Sequence, residues 1–362
     1  MKVLWITSQS DTLNSIRPEA ETLIGLANAG VTCEIMTQGD SVYRQTMEAV
    51  GIRVIDFVPR HKFSSAAATT IRRALTEGRH DVLHLFNNKA IANGVRAARG
   101  LPVKVVSYRG QTGNVHRYDP ICWLTHLSPR IDRVVCVSES VRRDLAKRRL
   151  DPDSCITIHK GHDLGWYTEQ PADLQTEFAI PEQDFVICAV ANYRPRKGLE
   201  VLVAAMKHLP EGASVWLLLV GSGLAAPRLT RAILASPCRD RIHVVGFRQD
   251  ACRLIAASDC SVLPSLRREG LPKAVIEAMA YGVPPVVTDT GGSPELVVDG
   301  DCGRVVPPGD PQALARAIGQ MIENRGDTRR MGDRARQRID ACFNIRQTID
   351  KTLEMYRNLI IN

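Results

Sequence analysis

The sequence predicts an α/β protein built from two doubly wound, Rossmann-like domains. Three observations point there. Apolar runs of strand length alternate with amphipathic stretches of helical period along nearly the whole chain, the signature of βαβ units and a parallel sheet. The alternation lapses once, past Gly165, in a segment holding Pro171 and Pro181, which places a linker there. The 362 residues suffice for two separate cores at ~100–200 residues per domain.

Taken in order, KVLWITS is a strand followed by polar residues and an amphipathic stretch from Arg17 to Ala29 that stops at Gly30, a strand, loop and helix in succession. The unit recurs as VTCEIMTQ with a helix near 41–50, IRVIDFVP with one near 66–77, and DVLHLF with one near 88–99. VKVVSYR and RVVCVSES complete the first series. The second series has strands FVICAVAN, SVWLLLVGSG, RIHVVGF, CSVLPS, PPVVTD and GRVVPPGD, with helices at 198–208, 225–235, 250–257, 272–281 and 311–323. The final stretch places Ile345, Ile349, Leu353, Tyr356 and Ile360 on one helical stripe. The domains so defined are residues 1–165, a linker over 166–180, and residues 181–345. Open α/β sheets bind ligands beyond the carboxyl ends of their strands, so a ligand held by both domains would lie in a cleft between them.

Composition narrows the function classes. At 44% hydrophobic, with 26 Gly and 20 Pro, the chain is neither disordered nor fibrous. Its longest apolar runs, such as Val215 to Val220, fall far below the ~18 residues of a membrane span. The four apolar residues Val3 to Ile6 are too few for a signal peptide, so a cytoplasmic protein is expected. Ten scattered cysteines include no CxxC pair or zinc-like spacing, and read as reduced thiols.

The net charge is +8, and residues 1–170 hold 23 basic against 17 acidic side chains. The stretch SESVRRDLAKRRL concentrates Arg142, Arg143, Lys147, Arg148 and Arg149 on a short helix capped by Ser138 or Ser140, which suits an anionic acceptor or lipid surface. No aromatics interleave with these cations, which argues against nucleic acid.

The most informative stretch runs from Leu263 to Asp310. Pro272 suits the first turn of a helix, so the preceding Glu269-Gly270-Leu271 aims helix-start amides and a positive dipole end at whatever lies in front, a ready site for a diphosphate. Glu269 and Glu277 are eight residues apart. Even in a continuous helix they would stand about 12 Å apart, too far for the carboxylate pair of a glycosidase, so the two have different tasks: Glu269, ahead of the helix, is placed to reach a ligand's sugar, and Glu277, over a turn inside, is either an acceptor for a ribose diol or, taken alone, a solvent-facing helix position.

EGLPKAVIEAMAYGVPPVVTDTGG resembles the E-x7-E signature of the family 4 retaining glycosyltransferases with the GT-B fold. The resemblance extends through GGSPELVVDGDCGRVVPPGD and upstream through VANYRPRKG, LLLVGSG and RIHVVGF. It implies a nucleotide diphosphate sugar as co-substrate, a UDP-sugar in preference to a GDP-sugar, with no cofactor and no metal. It implies retention of configuration, the leaving phosphate itself taking the acceptor's proton, and a glycan or lipid-linked acceptor in lipopolysaccharide or surface polysaccharide synthesis. Lys197 matches the diphosphate-binding lysine, accompanied by Arg194 or its rival Arg196. Glu269 takes the donor-sugar role and Glu277 the ribose role. Gly270, Leu271 and Lys273 lie at the phosphates or sugar, Gly221 and Gly223 near the nucleotide, and Phe247 or Arg248 at the base. The terminal helix, residues 346–362, returns to the first domain.

The first domain departs from the family pattern. A Gly-rich loop usually follows the first strand, where this chain has SDTLNSIRP; Ser15 and Arg17 remain as phosphate or acceptor contacts. The family's frequent histidine after the central strand is replaced, Arg109 taking the aligned place and His116 following seven residues on, and the resemblance makes either one, with Glu269, a catalytic candidate at the reacting sugar. A glycogen synthase type lacks its Lys-x-Gly-Gly loop here, and a dinucleotide oxidoreductase lacks its GxGxxG. A nucleotide-sugar binder without catalysis is the remaining rival.

Overall fold

The computed structural model describes residues 1–8 and 13–361, with side chains from Ile16 onward in the first helix. The chain divides into two compact units, residues 1–161 with 343–362, and residues 162–342.

Unit 1 contains β1 (Lys2–Ile6), α1 (Leu13–Asn28), β2 (Thr32–Thr37), α2 (Arg44–Ala49), β3 (Arg53–Asp56), α3 (Ser65–Gly78), β4 (Val82–Leu85), α4 (Asn88–Ala97), β5 (Lys104–Arg109), α5 (Pro120–Trp123), β6 (Arg133–Cys136), α6 (Glu139–Ala146) and β7 (Cys155–Thr157). The seven strands form a parallel sheet of order β3-β2-β1-β4-β5-β6-β7. All four residues of β4 are buried, as expected of a strand covered on both faces. Asn87 caps α4 through Lys89 and Ala90, and Ser138 caps α6 through the Val141 amide, each satisfying helix-start donors.

Unit 2 contains α7 (Leu174–Phe178), β8 (Phe185–Val190), α8 (Leu199–Met206), β9 (Val215–Val220), α9 (Pro227–Leu234), β10 (Ile242–Gly246), α10 (Ala251–Ala256), β11 (Cys260–Leu263), α11 (Lys273–Ala280), β12 (Pro285–Thr288), α12 (Ser293–Leu296), β13 (Arg304–Val306), α13 (Pro311–Glu323) and α14 (Arg325–Cys342). Its six strands are parallel, in the order β10-β9-β8-β11-β12-β13.

The last helix, α15 (Ile345–Ile361), belongs to unit 1. Gly25 makes room for it on α1: a Cβ there would lie 2.2 Å from Ile349 Cδ1. Tyr356 of α15 is fully buried; its hydroxyl accepts from Trp5 Nε1 at 2.9 Å and lies 2.6 Å from His84 Nδ1. The C-terminal helix is thus part of the unit 1 core.

Two expectations need correction. The stretch 166–180 is not a separate linker, because Ala172 and Ile180 are buried in the core of unit 2 and Leu174 and Phe178 pack against it; the division falls at Gly161–His162. The basic face expected on α6 is largely consumed internally. Glu139 pairs with Arg142 at 2.6 Å and Arg143 at 3.1 Å, and Asp144 pairs with Arg148. Arg149 is buried, donating to the carbonyls of His126 and Ile131.

Candidate functional site

The strand order of unit 2 reverses between β8 and β11, which start connections to opposite sides of the sheet, and such a switch point is where an open α/β sheet offers a crevice. The loops leaving these two strands carry Lys197 and Glu269. Gly198, at φ +68°, lets them close together, since a Cβ there would sit 2.1 Å from the Pro264 carbonyl oxygen. The Leu266 amide then donates to the Arg196 carbonyl at 2.7 Å.

Between these loops lies a buried carboxylate. Glu269 is 5% exposed, and its Oε1 receives Lys197 Nζ at 2.8 Å and Ser265 Oγ at 2.6 Å. Arg196 Nη1 stands 3.5 Å from the same oxygen and donates to the Arg268 carbonyl. Arg194 is exposed. Of the two candidate arginines, Arg196 is therefore the one placed with Lys197, because the backbone turn at 195–197 swings it toward the β11 loop. Thr288 Oγ1 donates to the Ser265 carbonyl. Gly291 adopts φ +57°, and a Cβ on it would lie 2.0 Å from the Glu269 carbonyl oxygen, so the loop after β12 clamps the same backbone.

Helix α11 starts directly after Glu269-Gly270-Leu271-Pro272. Pro272 stands just outside the helix, at the cap position rather than in the first turn, and its carbonyl accepts from the Val275 and Ile276 amides. The two amides ahead of these, on Lys273 and Ala274, come too early in the helix for an i−4 carbonyl, and the positive dipole end faces the Gly270–Leu271 loop. Glu277 sits one turn inside, buried, with Lys273 Nζ at 3.2 Å. Burial pushes its carboxyl pKa upward, opposed by Lys273. It is therefore not a solvent-facing helix position.

The neighbouring loop after β9 is zipped to the β8 loop. The Ser222 amide donates to Asn192 Oδ1 at 2.9 Å, and Ser222 accepts from the Tyr193 amide. Gly221 at φ +146° would bring a Cβ within 2.3 Å of the Ala191 carbonyl oxygen, and Gly223 also has positive φ. After β10, Phe247 is 57% exposed. Arg248 is committed elsewhere, bidentate to Asp250 at 2.7 Å and bonded to Glu177 at 2.9 Å. Of the pair expected at a base, Phe247 alone presents an open face.

In unit 1, Arg109 ends β5 and is buried. Its guanidinium donates to the Gly113 carbonyl and lies 3.3 Å from His126 Nε2, while Asp144 receives the Gly113 amide at 2.8 Å. Arg109 thus secures the loop after β5, and His116 is the exposed side chain farther along that loop. Arg17 lies beside the Tyr43 hydroxyl, which donates to Glu21 at 3.0 Å. The side chain of Ser15 lies outside the described residues. Sequence reasoning did not single out Ser265 or His126: a lone serine in LPS and a lone histidine carry no spacing signal. Among the described residues, no three His, Cys, Asp or Glu side chains group as a metal site.

Unit 2 thus offers two cations, helix-start amides, close-approach glycines and two buried carboxylates around one crevice, suited to holding a diphosphate beside a hydroxyl-rich group. Comparison with known proteins agrees with this chemistry. Residues 172–338 match the model described as glycosyl transferases group 1, and residues 20–166 match glycosyltransferase family 4. The N-acetyl-alpha-D-glucosaminyl L-malate synthase of Bacillus anthracis is 27% identical over 54% of this chain and 51% of its own. The UDP-Gal:alpha-D-GlcNAc-diphosphoundecaprenol alpha-1,3-galactosyltransferase of Escherichia coli is 24% identical over 81% of this chain and 79% of its own. The alignments span about half the length of the first relatives, from 42% to 59%. In fold, the chain matches the crystal structure of Anabaena HepE in complex with UDP and glucose at a TM-score of 0.80 and 21% identity, covering 99% of this chain and all of that one.

Proposed function

Because the chain belongs to the family 4 glycosyltransferases with the GT-B fold, we propose that it moves a sugar from a nucleoside diphosphate sugar to a hydroxyl of a glycan or lipid-linked acceptor in cell-surface polysaccharide or lipopolysaccharide synthesis. The observation that carries this reading is the meeting of Lys197 and Glu269 across the β8/β11 switch point, beside the start of α11.

In this reading the diphosphate binds Lys197, Arg196 and the amides around Gly270 to Lys273, where fixed cations and dipoles stabilise the charge that grows as the glycosyl bond breaks. Glu277 accepts from the ribose diol, Glu269 from the donor sugar, and Phe247 stacks on the base. The donor is a UDP-sugar rather than a GDP-sugar; UDP named with the relative from E. coli and the structure from Anabaena supports that choice. Transfer proceeds with retention and without metal or cofactor. The acceptor oxygen bonds to the anomeric carbon on the face the phosphate leaves, and the acceptor's proton passes to the departing β-phosphate oxygen. No helix of the described residues is long and apolar enough to cross a membrane; we place the protein in the cytoplasm, meeting its acceptor at the inner membrane face.

The test is binding and slow hydrolysis of UDP-glucose, UDP-galactose, UDP-N-acetylglucosamine and GDP-mannose, with and without EDTA. Turnover lost in Glu269→Ala while donor binding persists supports a transferase; wild-type binding without hydrolysis or transfer to any acceptor supports a non-catalytic binder. Absence of binding to every nucleoside diphosphate and every nucleotide sugar would overturn the proposal.

A further inference from the structure

Helix α14 carries six arginines among its 18 residues, a composition that by itself reads as a solvated face. Two of them spend their bonds on the ends of other helices. Arg336 Nη1 donates at 2.5 Å to the carbonyl of Ala280, the last residue of α11. Arg338 donates through Nε to the Leu296 carbonyl at 2.7 Å and through Nη2 to the Glu295 carbonyl at 2.9 Å, the last two residues of α12.

The final four carbonyls of a helix have no intrahelical donor of the regular kind. In α11 those of Glu277, Ala278 and Met279 are met by the amides of Tyr281, Val283 and Gly282, and that of Ala280 is met by Arg336. A guanidinium there also answers the negative end of the helix dipole. The two backbones are pressed together at the same place. A Cβ on Gly332 would lie 1.9 Å from the Gly282 carbonyl oxygen, and Gly282 itself turns the chain out of α11 at φ +71°. Gly332 and Arg336 are one turn apart on α14, so a single face of that helix fixes the far end of α11.

Each helix held in this way has its other end at the crevice. α11 is about 12 Å long and begins at Lys273, so a slide or tilt at Ala280 moves the helix-start amides and Glu277 as one body. α12 follows the Gly291 turn that clamps the Glu269 backbone. Close-packed interiors pass such displacements on instead of absorbing them. We propose that Arg336 and Arg338 are positioning residues for the donor site. Arg336, through α11, sets the groups that bind diphosphate and ribose; Arg338, through α12 and the Gly291 turn, sets Glu269. The inference rests on the donor-site assignment of the proposed function and adds to it two side chains that touch no ligand.

The test compares the full-length wild type with Arg336→Ala, Arg336→Lys and Arg338→Ala. Arg330→Ala is the control on the same helix, since its partner Asp327 lies within α14. UDP binding by titration calorimetry, turnover by hydrolysis of the nucleotide sugar that wild type accepts, and hydrogen exchange of segments 273–283 and 291–297 are measured on each. Arg336→Ala should weaken UDP binding about fivefold, the loss of one capping hydrogen bond, and speed exchange in α11 alone; Arg336→Lys, still able to cap a helix end, should restore both. Arg338→Ala should lower turnover about tenfold or more by displacing Glu269, with UDP affinity nearly unchanged and exchange faster in α12 alone. Arg330→Ala should match wild type. Wild-type binding and turnover in both alanine variants would overturn the inference. So would equal proportional losses of the two in each variant, the result of a general loosening of unit 2. Wild type that binds no UDP would instead refute the transferase reading, and the exchange patterns would still decide whether α14 holds each helix separately.

Discussion

Lys197 and Glu269, 72 residues apart in sequence, meet at 2.8 Å, joining the loops after β8 and β11. In the proposed reading, a diphosphate that binds Lys197 must share or replace Glu269 as its partner, so the carboxylate assigned to the sugar and the cation assigned to the phosphate respond to the same ligand. Ser265, donating to the same oxygen, keeps Glu269 hydrogen-bonded while that exchange occurs.

The relative weight of the three cations follows from their places. Lys197→Ala should weaken UDP binding most, by roughly 10- to 100-fold, the range of a charge-assisted hydrogen bond at ~1.5–3 kcal/mol. Arg196→Ala should act in the same direction by less, and Arg194→Ala, which alters an exposed side chain, least. Titration calorimetry with UDP gives the order, and a larger loss for Arg194→Ala than for Arg196→Ala would show that this turn rearranges around the nucleotide.

Gly291 is the second support of Glu269. With φ +57° and a prospective Cβ 2.0 Å from the Glu269 carbonyl oxygen, Gly291→Ala must push the two loops apart. A displacement near 1 Å at a reacting group can lower turnover about 100-fold. UDP affinity should fall much less, because Lys197 and the α11 amides stay in place. Turnover and UDP binding falling in equal measure would indicate collapse of the whole crevice rather than misplacement of one carboxylate.

Glu277 trades stability for its place. Its pKa is raised, chiefly by burial, so between the ordinary carboxylate range and that raised value the folded chain holds a proton that the unfolded chain has lost. Stability of unit 2 from this group therefore declines as pH rises through that window. Glu277→Gln should raise the thermal midpoint at neutral pH, with the gain shrinking toward pH 4.5, while weakening UDP binding. A variant less stable than wild type at pH 7 would mean that the Lys273 pair at 3.2 Å outweighs the burial of the charge.

Much of this was legible in the sequence because hydrophobic period is a strong signal. Twelve expected strands became β1–β6 and β8–β13, and the helix expected at 311–323 is α13. What escaped had weak patterning for identifiable reasons. β7 is three residues long, and α14 is strongly polar, burying only a narrow stripe that includes Met331, Ala335 and Ile339. In the site, residue type and motif pointed to Lys197, Glu269 and Glu277. The choice of Arg196 over Arg194 depended on a backbone turn, and the commitment of Arg248 depends on a bidentate geometry with Asp250 and on Glu177, 71 residues away, neither of which a local pattern shows. Arg109 stood at the expected place, but its burial and its bond to Gly113 are tertiary facts that no local pattern carries.

Unit 1 should be the acid-sensitive half of the molecule above pH 5. Burial holds His84 and His126 at a pKa of about 3, against an ordinary value near 6.5. As pH falls below 6.5 the unfolded chain takes up protons at both side chains while the folded chain does not, so stability is present at neutral pH and lost as pH falls toward 3. Each group can add a slope of up to about 1.4 kcal/mol per pH unit, and Glu277 in unit 2 works in the opposite direction. Tyr356→Phe probes the same core, since it removes the acceptor of Trp5 Nε1 and the partner of His84 Nδ1 without changing the ring. It should cost about 1–3 kcal/mol for the buried groups left unpaired. Urea unfolding followed at pH 7, 6 and 5 by the fluorescence of Trp5, Trp123, Trp166 and Trp216 should show a falling first transition if unit 1 leads. A midpoint unchanged between pH 7 and 5 would mean that these histidines gain protons in the folded state, and so are less enclosed than their packing beneath α15 and the β5 loop implies.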